Sequence, residues 1–531
     1  MKPLSKSFGL LIALALAGFD ASAGTISGTV TDPLGKPFRG AFVQAQNAKT
    51  KITTHVLSDR QGRYRVDNLP PGDYAVRAKA TGFKSDLRSG VTVAATGGAS
   101  LDFKLQTDIV RWSDLSLYQS WELLPAGRGK ELLQRQCSAC HGLQTRMSAT
   151  RRDEAGWWRA INYMRESEKP RLGTRVNDQD AATLVSYLTE HFGVDSSLPP
   201  PTALPKYQQT LRSFSDEAMK IVYVEYEMPG PNRHPFSAAP DKDGYLWLPY
   251  FGKANAIGRL DPKTGAIEEF PAPHQGTAGI HTAVPAPDGT VWIGEQASNK
   301  VGKWDPVTRK VTEYQDRYAP GLEGFEDGGS KHTVRVDHAG KVWGTAVGSI
   351  LTAFDPKTRE FTRFQEVESP YGVVIDRDGN PWFAEFSTTG KFGKVDQKTG
   401  KVSKWTPLTP GGWPRRIEID SKGTVWVALY RGGKLLRFDP KTEAIKEFTL
   451  PGPRATPYAL GIDKEDYIWY SSDEMDTVGR LDPNTGEVLE FPYPYSENMM
   501  KEFFLDSQGR MWYGSPPNNR VGYFILKGSG N

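Results

Sequence analysis

Beginning near Phe214, one pattern returns about every 45 residues, the length expected of a propeller blade. Each unit has an apolar strand, a D-x-x-G-like turn, a strand containing tryptophan, and a strand ending in a D-P-K-T-G-like turn. The tryptophans are Trp247, Trp292, Trp343, Trp382, Trp426, Trp469 and Trp512. The second turns start at Asp261, Asp305, Asp355, Asp396, Asp439 and Asp482, one fewer than the tryptophans. The last unit stops one strand short, at Tyr523-Phe524-Ile525-Leu526. The missing strand stands at the front: Tyr223-Val224-Glu225-Tyr226-Glu227-Met228-Pro229-Gly230-Pro231 matches the internal Ile445-Lys446-Glu447-Phe448-Thr449-Leu450-Pro451-Gly452-Pro453. The pattern predicts seven blades over 216–531, with the early strand completing the last blade and leaving no open sheet edge.

A chain of 531 residues is too long for one hydrophobic core, so further domains are expected ahead of the propeller. Residues 1–23 read as a signal peptide: Lys2 and Lys6, an apolar run over 8–18, then Ala21-Ser22-Ala23 as a small-x-small cleavage site. The expectation is a periplasmic or secreted protein, not membrane-spanning after cleavage. A net charge of +4 gives no case for nucleic acid as a partner. Residues 24–106 alternate apolar and polar positions between Gly/Pro turns, which predicts a small antiparallel β-sandwich. The strings Gly28-Thr29-Val30-Thr31-Asp32, Asp59-Arg60-Gln61-Gly62-Arg63-Tyr64 and Leu69-Pro70-Pro71-Gly72-Asp73-Tyr74 resemble the carboxypeptidase regulatory-like domain. That resemblance implies a docking or spacer role.

Residues 107–196 change to helical periodicity, over 126–135, 157–166 and 179–192, with Asp153 as an N-cap. A Pro-rich linker follows over 197–215. The overall expectation is a mainly β, multidomain chain with one small α-helical domain. The only two cysteines lie in Cys137-Ser138-Ala139-Cys140-His141. Two thiols at this spacing can add to the vinyl groups of one haem, and the adjacent histidine reaches its iron. Export, and the lack of a second ligand pair, argue against a zinc or redox CxxC site. The surroundings resemble a class I cytochrome c domain, with a helix at Gly127-Arg128-Gly129-Lys130-Glu131-Leu132-Leu133 and a closing helix containing Ser186-Tyr187-Leu188. The stretch Gly156-Trp157-Trp158-Arg159-Ala160-Ile161-Asn162-Tyr163-Met164 is similar to small cytochrome subunits of periplasmic oxidoreductases. That similarity implies Met164 as the sixth iron ligand beside His141, ahead of Met147, which follows His141 closely, and His191 on the closing helix.

Alignment of the blades places Phe236, His281, His332, Tyr371, Arg415, Tyr458 and Lys501 at the starts of the innermost strands, ringing one channel mouth. Three residues after each tryptophan the series reads Tyr250, Glu295, Ala346, Glu385, Leu429, Ser472 and Ser515. Converging titratable groups point to a small-molecule site, with His281, His332, Tyr371 and Arg415 as candidate catalytic residues. Strings such as Asp288-Gly289-Thr290-Val291-Trp292-Ile293-Gly294-Glu295 resemble the streptogramin B lyase (virginiamycin B lyase) family of seven-bladed propellers. The resemblance implies His281 as a base and Glu295 as a divalent-metal ligand. The family's first metal glutamate falls at Gly279 and its other substrate-contacting histidine at Phe236, so two of four functional positions are lost.

Three functions follow. In the first, the haem passes electrons between a partner protein and a substrate held by the propeller, which would suit a non-covalent redox cofactor beside Arg415, Lys501 and Glu295. In the second, the propeller is a metal-assisted lyase. In the third, propeller and sandwich are docking surfaces and the chain is no enzyme.

Overall fold

The aspartate that opens each D-x-x-G turn joins the turn to the blade. In the fifth blade Asp420 Oδ1 accepts from the amides of Lys422 (3.0 Å) and Thr424 (2.9 Å), while Oδ2 accepts from Trp426 Nε1 (3.0 Å). The same carboxylate–indole bond forms at Asp241, Asp337, Asp376, Asp463 and Asp506. Only the second blade lacks it, because Ala286 stands six residues before Trp292. The turn needs a left-handed residue, supplied by Gly423 (φ +84°) in the fifth blade and by Asp466 (φ +66°) in the sixth.

A computed structural model of the chain describes residues 24–138, 142–167, 176–316, 331–346 and 348–528. The expected signal peptide, and Cys140 and His141 of the CxxCH motif, lie outside the described residues. Six four-stranded antiparallel blades follow in chain order, from Ala239–Pro240 to Val488–Pro492. The seventh uses Phe503–Leu505, Met511–Ser515 and Arg520–Leu526, and is completed by Ile221–Glu227. Pairing runs without interruption from Ile221↔Leu526 to Glu227↔Arg520. The propeller closes as the repeat predicts.

The closing strand is not the end of its sheet. Its far side pairs antiparallel with Thr53–Leu57 of the N-terminal sandwich, with Tyr223 opposite His55. One ten-stranded sheet therefore runs from the sandwich into the seventh blade. At the seam His55 Nε2 lies 3.1 Å from Glu225 Oε2, and Tyr493 and Tyr513 donate to Glu225 Oε1 at 3.0 and 2.9 Å. All four side chains are buried. The sandwich keeps its own core around Ile26, Val43, Val56, Tyr64, Val66 and Val76.

Among the described residues, four α-helices lie between these β units: α1 (Leu117–Leu123), α2 (Arg128–Leu132), α3 (Glu154–Ser167) and α4 (Asp178–Phe192). From α2 the backbone continues in a wider turn through Leu133–Cys137. Asp153 Oδ1 accepts from the Gly156 amide at 2.8 Å and caps α3. Helices α2 and α4 touch through Gly129, where any Cβ would fall 2.3 Å from Tyr187 Cβ, so the closing helix packs on the helix that leads into the CxxCH motif. Their shared core includes Trp121, Leu132, Leu133, Trp157, Leu184 and Leu188. Among the described residues no helix is long and apolar enough to cross a membrane.

Candidate functional site

The innermost strands of blades two, four, five and six carry a register shift at their first residues. The residue three after the tryptophan pairs with the one just before the ring position: Ile280↔Glu295, Pro370↔Glu385, Pro414↔Leu429 and Pro457↔Ser472. It therefore turns into the blade, while the ring residue turns to the axis.

The ring side chains meet. The His281 and His332 ring centroids are 3.6 Å apart, and His332 lies 4.1 Å from the Tyr371 ring. Phe236 meets His281 edge-on at 4.7 Å. The Tyr371 and Tyr458 hydroxyls hydrogen-bond across the mouth. Arg415 Nη2 donates to Tyr371 Oη at 2.9 Å, and its guanidinium stacks 3.4 Å from the Tyr458 centroid. Lys501 Nζ lies 4.3 Å from the same Tyr458 centroid. All are buried except Phe236, which is half-buried. Burial pushes the Tyr371 hydroxyl up to about 12, although the Arg415 charge pulls it down. His281, His332, Tyr371 and Arg415 are thus brought together.

Glu295 is not brought to them. Its Oε2 accepts from Ser298 Oγ at 2.7 Å, and its Oε1 faces Gly302 of the next strand, 3.0 Å from where a Cβ would lie. Burial pushes its carboxyl up to about 7. Glu385 is likewise spent inside its blade, on the amides of Glu368 and Lys391 and on Lys404. Among the described residues no three His, Cys, Asp or Glu side chains are grouped to hold a metal ion.

The residues that do face the mouth stand one position further on, four after the tryptophan, where the sequence reading did not look. Phe251 stacks on Phe236 at 4.3 Å, Phe386 lies 5.0 Å from Tyr371, and Tyr430 lies 4.3 Å from the Arg415 guanidinium. The sixth blade has Asp473 here. Its amide donates to Thr456 O, as the Tyr430 amide donates to Trp413 O one blade earlier. Deeper in the channel Arg416 spans it, donating to Lys501 O (3.0 Å), Thr333 Oγ1 (2.9 Å) and Glu502 Oε1 (3.1 Å). Arg335 meets the same Glu502 oxygen at 2.6 Å.

The helical unit sits on this mouth. The loop after Val488–Pro492 carries Glu497, whose carboxylate accepts from the amides of Gly142 (3.0 Å) and Thr145 (2.8 Å) and from Thr145 Oγ1 (2.7 Å). Gly142 immediately follows the CxxCH motif. The loop is itself fixed, because Asp476 accepts from the amides of Glu497 and Asn498 at 2.9 and 2.8 Å. Glu497 (φ +60°) and Met499 (φ +37°) hold left-handed conformations there. Beside this anchor a cleft of about 510 Å³ opens between the two units. Arg135 and Ser138 line one wall; Tyr430, Arg431, Thr456 and Glu474 line the other.

Within the helical unit Met164 and Met147 line one cavity of about 600 Å³, with Trp157, Ile161 and Leu188. His191 packs its ring on Tyr187 at 4.3 Å and is not part of that wall. Cys137 and Met164 both border the same apolar core. Arg146, Arg151, Arg152 and Arg159 line the same cavity, so apolar and thioether groups that suit a haem ring stand beside guanidinium groups that suit its propionates.

Comparison with known proteins bears on the two β units. The carboxypeptidase regulatory-like domain matches residues 25–106, and the virginiamycin B lyase family matches residues 326–530. The second match includes His332, Tyr371 and Arg415 and begins after His281 and Glu295. A streptogramin B lyase structure is 22% identical, with a TM-score of 0.52, over 59% of this chain and all of that one. The Staphylococcus aureus virginiamycin B lyase is 20% identical, with a TM-score of 0.52, over 58% of this chain and 99% of its own. These show the shared propeller fold. The TonB-dependent transporter Oar of Myxococcus xanthus is 38% identical over 72 residues, which covers 13% of this chain and 7% of that protein.

Proposed function

We propose that this chain is an exported haem protein whose propeller mouth binds a small anionic molecule beside the haem-bearing segment. The observation that carries the reading is the Glu497 anchor: a propeller carboxylate holds the residues directly after CxxCH against the mouth where His281, His332, Tyr371 and Arg415 converge. Cys137 and Cys140 would hold the haem covalently, with His141 and Met164 on its iron. Bound there, it supplies a one-electron centre. Arg454 in the cleft wall is paired with Glu474, which leaves Arg135 and Arg431 against Glu131, and that net positive charge favours an anionic ligand. Arg415, inside its cage of aromatic rings, keeps positive charge directly behind that wall. A partner protein would take up or deliver the electron.

The second reading is a lyase of the virginiamycin B lyase type. The family match over 326–530 favours it, and bears on it more directly than on electron transfer. The stacked His281–His332 pair suits the proton abstraction an elimination needs. The metal that this reading asks of Glu295 finds no support in where that carboxylate sits.

Two measurements on the full chain, matured with haem-attachment machinery, separate the readings. The haem reading expects a mass gain of one haem that is lost in the Cys137→Ser, Cys140→Ser double variant, and a c-type spectrum. The lyase reading expects a bound divalent metal that is lost in Glu295→Gln. A chain that gains no haem mass overturns the first reading.

A further inference from the structure

The sandwich, the helical unit and the last two blades meet around a cavity of about 610 Å³, within the size range of small-molecule sites. Part of its wall is apolar. Ile109 is 67% exposed and Leu211 47% exposed, and both line it, with half-buried Phe83, Phe214 and Met219. Single exposed apolar side chains are ordinary. Here three separate segments of the chain bring theirs to one cavity, which leaves apolar surface for a ligand to cover.

Another part of the wall is cationic. Its charged residues are Arg39, Lys79, Arg111 and Arg212 against Asp108, Asp114 and Asp476. Asp108 pairs with Lys84, Asp114 with Arg111, and Arg39 with Asp216. Asp476 accepts from the amides of Glu497 and Asn498, and burial holds its carboxyl well above the ordinary range, so it carries little charge. Arg212 gives Nη2 to Glu490, but its Nη1 has no hydrogen-bond partner among the described residues. The guanidinium lies 5.5 Å from the Phe214 centroid, so this donor borders the apolar part of the wall. Lys79, on the sandwich side, is exposed and adds positive potential.

We propose that this junction is a binding site for a fatty carboxylate, held at its charged end by Arg212 and along its hydrocarbon chain by Ile109, Leu211 and Phe214. A guanidinium N–H without a partner offers a carboxylate oxygen a charge-assisted hydrogen bond. A small hydrophilic anion would leave the apolar wall uncovered, and a neutral lipid would leave the cationic donor without its counter-charge. The site shares no lining residue with the cleft at the propeller mouth, so it stands apart from either reading of that mouth.

The probes are hexanoate, decanoate and 1-decanol, titrated into the full-length protein by calorimetry. Burying one methylene tightens binding about fourfold, so decanoate is expected to bind at least about 10-fold more tightly than hexanoate, at one site per chain. It should also exceed decanol by about 10-fold, the range of a hydrogen bond to a charged group. Ile109→Ser combined with Leu211→Ser, both at exposed positions, should cut the ratio of decanoate to hexanoate affinity about threefold or more. Arg212→Gln should bring decanoate to the decanol level. Lys79→Gln, at an exposed position, should weaken decanoate about twofold or more and keeps the charge test open if the Arg212 variant misfolds. Equal binding of decanoate and hexanoate, or of decanoate and decanol, overturns the proposal. So does decanoate binding that the double serine variant and the charge variants leave unchanged.

Discussion

One step along a strand separates side chains that face the mouth from those that brace a blade. Glu295 shows the consequence. Its carboxyl is raised by burial from the ordinary range to about 7, so the folded state holds a proton that the unfolded chain has released. The wild type should therefore lose stability as pH rises from about 4.5 to about 7, and the deficit should persist above. Glu295→Gln should remove that dependence, gaining on the order of 2 kcal/mol over the wild type at pH 8 and about nothing at pH 4. Urea unfolding across this range checks it. Substitution of a turn aspartate should destabilise instead: Asp420→Ala strips two amides and an indole of their acceptor and should cost about 3 kcal/mol. The ring of His281, His332, Tyr371 and Arg415 was legible because the glycine turns fix the blade alignment. The inner-strand register shift left no mark in composition, so Tyr430 and Asp473 were missed in favour of Leu429 and Ser472.

Among elements, the strand Ile221–Glu227 does the most joining. It closes the propeller on one side and carries the sandwich on the other. Its role in closure was legible because the repeat has one strand missing at one end and a matching strand at the other. Its pairing with Thr53–Leu57 was not, since edge strands carry no sequence label for their partners. Glu225 is the charged centre of that seam. Burial alone would raise its carboxyl, but the hydrogen bond and charge of His55 outweigh this and hold it below the ordinary range. Its contribution is therefore present above about pH 4.5 and fades as pH falls through the lowered value. Glu225→Ala should destabilise by about 3–5 kcal/mol, because His55, Tyr493 and Tyr513 lose their common acceptor. Calorimetry of the full chain should show sandwich and seventh blade melting together in the wild type and separately in the variant.

At the scale of the whole molecule, the helical unit is held over the channel mouth by contacts between residues far apart in sequence. Gly142 and Glu497 are 355 positions apart, and nothing in the composition of the loop marks Glu497 and Met499 for left-handed backbone. The sequence therefore showed a CxxCH motif and a polar mouth as separate features, and only the fold joins them. Glu497→Ala should leave the blades intact and speed hydrogen exchange at the Gly142 and Thr145 amides about 10-fold or more, as expected when hydrogen bonds to a charged group are removed. The joining of motif and mouth is tested most directly by redox titration of the haem-loaded full-length protein with and without saturating phenylacetate. Anion binding beside the haem segment should lower the midpoint potential, and the shift should vanish in Glu497→Ala. A potential that phenylacetate leaves unchanged in the wild type would contradict the account.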